Sequence, residues 1–189
     1  MKLIKIIIPC LLLGACMFGT SKNAKFYTLK ATAIQPVSSN YTGFVGVNRI
    51  QLPKYIDRPQ IVTQQKKSAQ VKISEYNRWV EAPSILASRV LAENLSILLP
   101  RAQIKMSQFK GGNFDKTVSV EIIKMNAVLG ERAELSAWCM IKDKSGKIQT
   151  RQKFEYTIPI GKTYDDLAQG SSQLLAQLSQ EIAATLIEK

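Results

Sequence analysis

The tetrapeptide Leu13-Gly14-Ala15-Cys16 sets the limits of whatever this chain folds into. Before it come Lys2 and Lys5, then an apolar run over residues 6–13, the charged and apolar parts of a secretory leader. That run is too short to remain in a bilayer as a helix, which takes about 20 apolar residues. A branched apolar residue, two small residues and a cysteine form a lipobox. The small side chains admit the peptidase, and the Cys16 thiolate is the nucleophile that accepts a diacylglycerol. Cys10 lacks this setting, because Ile8-Pro9 precedes it. The competing reading is an ordinary leader with a stray cysteine; charge, apolar run and box in register favour lipidation at Cys16. Residues 1–15 therefore read as a signal peptide, 16–25 as the lipidated cysteine with a polar tether, and 26–189 as one folded domain. Met17 stands where an Asp would retain a lipoprotein at the inner membrane in enteric-type sorting, which favours the outer membrane.

Cleavage before Cys16 leaves 174 of 189 residues, enough for a core without covalent staples. Cys10 leaves with the leader and Cys16 is acylated, so Cys139 alone remains and no internal disulfide forms. The chain has no histidine, which removes the commonest general base, the usual zinc ligand and the Ser-His and Cys-His nucleophile pairs. No catalytic residue, metal ligand or cofactor site is assigned. The formal charge is +12, or +10 once Lys2 and Lys5 are removed. Such a balance suits nucleic acid, anionic headgroups or an acidic protein, with simple solubility as the bland alternative. Export argues against nucleic acid.

The hydrophobic pattern implies two helices among several strands. Residues 25–29 and 44–52 alternate as strands, and 60–64 with 70–74 flank a polar turn as a hairpin. Pro83 opens a helix that carries Leu86, Val90, Leu91, Leu95 and Leu98 at helical spacing and stops at Pro100. Residues 104–106 form a short strand; 117–125, 133–142 and 148–158 form three longer ones. The last two flank the turn Asp143-Lys144-Ser145-Gly146. Thr163 with Asp166 makes a capping box for the second helix, and Asp165-Asp166 suits its positive end. Leu167, Ser171, Leu174, Leu175, Leu178, Ile182 and Leu186 form its buried stripe. The sum is a mixed sheet of about six or seven strands with two long helices, an α/β or α+β single domain.

Two segments stand out as candidate contact sites. Residues 52–62 hold Pro53, Pro59 and the pair Asp57-Arg58, a rigid link whose Tyr55 and Arg58 are residue types common at interfaces. A purely structural turn is the rival reading. Trp79, just before the first helix, suits the core, a groove wall or a partner contact. Trp138 and Cys139 alternate onto opposite faces of one strand, with Cys139 read as a core residue or a quiet thiol, since no activating neighbour is evident.

These segments carry a resemblance. The lipobox, Phe26-Tyr27-Thr28-Leu29, Leu52-Pro53 with Asp57-Arg58-Pro59-Gln60-Ile61-Val62, Arg78-Trp79-Val80-Glu81-Ala82-Pro83, and Val90-Leu91-Ala92-Glu93-Asn94-Leu95 with Leu99-Pro100 are similar to the PqiC/YmbA family of auxiliary transport lipoproteins. The chain departs at Ile56 and at Ser84-Ile85, where members usually carry Leu. The resemblance implies a three-layer α/β/α domain, lipid-anchored on the periplasmic face of the outer membrane. It implies as partners a PqiB-like MCE-domain (mammalian-cell-entry) periplasmic protein and a PqiA-like inner-membrane component, with self-association as a further contact. The expected function is docking that tunnel protein to the outer membrane for intermembrane phospholipid transport and envelope integrity. The alternative is a structural lipoprotein that stabilises another outer-membrane complex without meeting lipid cargo.

Overall fold

The computed structural model describes residues 22–37, 40–107 and 113–188. The leader, Cys16, Met17 and the Gly111-Gly112 pair lie outside the described residues. Eight strands and two helices follow in the order β1 (Lys25–Tyr27), β2 (Phe44–Val47), β3 (Gln60–Gln64), β4 (Val71–Trp79), α1 (Pro83–Leu98), β5 (Gln103–Met106), β6 (Lys116–Val128), β7 (Arg132–Asp143), β8 (Ile148–Pro159) and α2 (Tyr164–Ile187).

Both helices form for the local reasons legible in the sequence. Proline stands in the first turn of α1, where no N–H is needed, and the five apolar residues spaced along it are all buried. In α2 the Thr163 hydroxyl accepts from the Asp166 N–H at 3.1 Å, while the Asp166 carboxylate accepts from the Thr163 N–H at 2.9 Å. The seven-residue stripe of α2 is buried throughout. Gly146 takes φ +85° in the β7–β8 turn, a conformation other residues rarely adopt.

The expected α/β class, mixed strand directions and two long helices are present; the arrangement differs in two details. The strands divide between two mixed sheets, one of five in the order β5-β2-β6-β7-β8 and one of three in the order β1-β4-β3. In the larger sheet β2 runs parallel to β5 and β6, while β6, β7 and β8 are antiparallel. The division arises because β2 ends at Val47 and returns only as a single bridge, Gln51 to Glu121. Beyond Ile122 the edge of β6 is therefore free, and the small sheet leans there through the Asn126–Gln64 hydrogen bond and the Lys66–Glu131 ion pair.

The second detail concerns layers. Val118, Val120, Ile122, Ala137, Cys139 and Ile141 line the buried face of the large sheet, and both helices pack on that face beside each other. The opposite face holds Ser119, Glu121, Trp138 and Met140, none fully buried, and no described helix covers it. This follows from the strands themselves. Alternation of apolar and polar residues along β6 and β7 gives one face to the core and one to water.

Candidate functional site

The loop after residue 52 is ordered by its own backbone. The Ile56 and Asp57 N–H groups donate to the Pro53 carbonyl at 3.0 and 3.1 Å, and the Ile56 side chain is buried. The Asp57 carboxylate accepts from the Ser84 N–H at 3.0 Å. The helix's own N-cap, Ala82, has no side chain able to do this, so Asp57 caps α1 from 27 residues upstream. We expect Asp57→Ala to lower stability by about 1 kcal/mol, read from the denaturation midpoint. An unchanged midpoint would show that α1 needs no such cap.

Tyr55 and Arg58 are placed differently. The Tyr55 hydroxyl donates to the Asn126 side-chain carbonyl at 3.2 Å, which ties the loop to β6 while its ring stays exposed. Arg58 donates from Nε to Gln60 at 3.1 Å and is half-buried. Trp79 is buried behind the loop. With Leu29, Leu52, Ile56, Pro83 and Leu174 it lines an apolar cavity of about 30 Å³. Sites for drug-sized ligands hold roughly 300–1,000 Å³.

A wider concavity lies on the uncovered sheet face. It measures about 310 Å³, and Asn48, Arg49, Glu121, Trp138, Met140 and Arg151 are among its lining residues. The Arg151 guanidinium sits 4.0 Å from the Trp138 ring centroid, a cation–π pair formed between neighbouring strands. Arg49 is held at the rim by two hydrogen bonds to the Ser84 hydroxyl, at 2.7 and 3.2 Å. Asn48 donates to the Ser119 hydroxyl at 2.7 Å. Further along this face acids are neutralised by neighbours: bonds from Lys124 and Arg132 hold Glu134 below the usual carboxylate range, and Lys153 does the same for Glu155. Among the described residues no carboxylate forms an ion pair with Arg151, so its charge is offered to whatever meets the groove.

Sequence reasoning placed Trp138 opposite buried Cys139 and so outside the core, yet did not select it as a contact. The register of β7 against β8 is the signal that joins Trp138 to Arg151. Burial pushes the Cys139 thiol up to about 12, which keeps it protonated and unreactive. Among the described residues no group of three or more His, Cys, Asp or Glu side chains could hold a metal ion. Nor is any described helix long and apolar enough to cross a membrane.

Among the described residues this geometry defines a class, an α/β domain with two helices on one sheet face and none on the other. The family is equally plain: residues 27–183 match the model of the ABC-type transport auxiliary lipoprotein component, and the chain belongs to that family. This is the PqiC/YmbA-like family that the motifs indicate, a transport component rather than an enzyme family. A crystal structure of an uncharacterized protein is similar at 20% identity and TM-score 0.72, covering 87% of this chain and 99% of its own. Another, from Xanthomonas campestris and assigned to DUF330, is similar at 11% identity and TM-score 0.73, covering 87% and 95%. No curated protein matches the sequence.

Proposed function

We propose that this lipoprotein is held on the periplasmic face of the outer membrane by acylated Cys16 and docks an MCE-domain tunnel protein that carries phospholipid between the membranes. A PqiA-like inner-membrane protein completes the assembly. The observation that carries the docking role is the uncovered sheet face with its Trp138–Arg151 groove. Tryptophan and arginine are among the residue types that most often anchor protein interfaces. The Tyr55 and Arg58 loop, with Trp79 packed behind it, forms a second contact surface toward the tunnel protein or another copy of the chain.

The test is capture from detergent-solubilised envelope with identification of the bound proteins. Arg151→Glu should weaken capture of the MCE-domain protein by at least tenfold, about 1.4 kcal/mol. Arg151 is exposed, so stability should fall by no more than about 1 kcal/mol, the worth of an exposed cation–π pair. Arg58→Glu, which gives up only the bond to Gln60, should likewise lose more binding than stability. Capture of a different outer-membrane complex, with no MCE-domain protein, would replace the transport reading by the structural one. Loss of binding matched by loss of stability would return both residues to the fold.

A further inference from the structure

A second surface is built where the chain enters the fold. Phe26 of β1 is 62% exposed although its strand is paired with β4. Tyr27 and Trp79 are partners in that register and pack against the core, so Phe26 and its partner Arg78 point the other way. On the same strand line Val80 is 53% exposed, and Tyr76 is 46% exposed. Lys22 is exposed on the chain leading into β1, and Arg78 is the cation on the strand beside Phe26. The nearby Glu81 is engaged by Arg89 at 2.8 Å.

Large apolar side chains set among lysines and arginines have the composition of a surface that lies in a headgroup layer. Aromatic rings favour that depth, and cations are drawn to anionic lipid. We propose that the face formed by Phe26, Tyr76 and Val80, with Lys22 and Arg78, seats the domain on the membrane that holds its lipid anchor. This rests on the reading of Cys16 as the acylated residue. The chain's own length selects the occupant: from Cys16 to Phe26 the backbone spans at most about 35 Å when extended. The face therefore stays within reach of the bilayer at all times.

The acylated protein, purified from envelopes, is reconstituted into vesicles of phosphatidylcholine and phosphatidylglycerol. Phe26→Cys, Val80→Cys and Ile148→Cys variants each carry a fluorophore on the new thiol; native Cys139 is buried and protonated, so it stays unlabelled. Ile148 is the distant control. It lies beside Thr185 and Glu188 at the end of α2, whereas Tyr27 packs 6.3 Å from Tyr164 at its start. The helix rise separates those ends by about 30 Å. The labels at 26 and 80 should be quenched by a lipid-attached quencher and shielded from aqueous iodide, with the reverse at 148. Protein that floats with the vesicles while position 26 stays open to iodide overturns the seating and leaves the anchor standing. Protein that does not float overturns both. Neither result touches partner capture, so the docking reading is judged separately.

Discussion

A Cys16→Ser chain is expected to accumulate as an uncleaved precursor without acyl groups and to be absent from the outer-membrane fraction. Serine keeps the size of the side chain and removes the thiolate that accepts the diacylglycerol. Without lipid, the acyl contribution to membrane affinity disappears, and each buried methylene is worth about 0.8 kcal/mol. The loss is therefore close to all-or-none. The tether and the domain are unchanged, so stability measured on the purified protein should not move. Fatty-acid labelling together with membrane fractionation reads the outcome. A mutant that is still acylated and still reaches the outer membrane would overturn the assignment of Cys16.

Leu95→Ala should destabilise the domain by roughly 2–5 kcal/mol. Leu95 is 0% exposed and belongs to the single large core cluster, on the α1 face that meets both the sheet and α2. Truncation removes the transfer energy of its methyl groups and leaves a hole that close-packed neighbours fill only in part. In a domain of this size each kcal/mol moves Tm by about 2–4 °C. Ser96→Ala, one residue on and exposed, is the control and should stay within about 0.5 kcal/mol. An unchanged Tm for Leu95→Ala would mean that α1 is rotated from the phase its buried stripe defines.

Much of the fold was legible because its causes are local. Alternation located β6, β7 and β8, and a turn of four residues joined the last two. The strand expected over 44–52 ends at Val47 because Asn48 and Arg49 turn away to bond Ser119 and Ser84, contacts 71 and 35 residues distant. The hairpin expected over 60–74 extends instead to Trp79. There Ser74 accepts from the Asn77 N–H at 3.0 Å, an irregularity that breaks the alternation a strand would show. In the candidate contact loop, the sequence marked a segment that is ordered by its own hydrogen bonds and could not apportion its roles. Asp57 works for the fold, while Tyr55 and Arg58 keep groups in reach of solvent.

By itself the sequence determined the two helices with their buried stripes, the capping box and the hairpin turn. Each of these depends on residues within about four positions of one another, the reach of helical turns and strand alternation. Only the tertiary structure decided how the pieces meet. Asn94 shows why. It is fully buried, and its carbonyl accepts from the N–H groups of Thr32 and Ala33, both at 3.1 Å, while its amide donates to Ser179 on α2 at 3.2 Å. In the sequence it is a polar residue inside an apolar helix, an apparent fault. In the fold it supplies the partners that an extended segment, α1 and α2 would otherwise lack, and a buried polar group is tolerated only where such partners exist. The uncovered sheet face arose in the same way: alternation made one face polar, and the side-by-side packing of both helices on the other left it open.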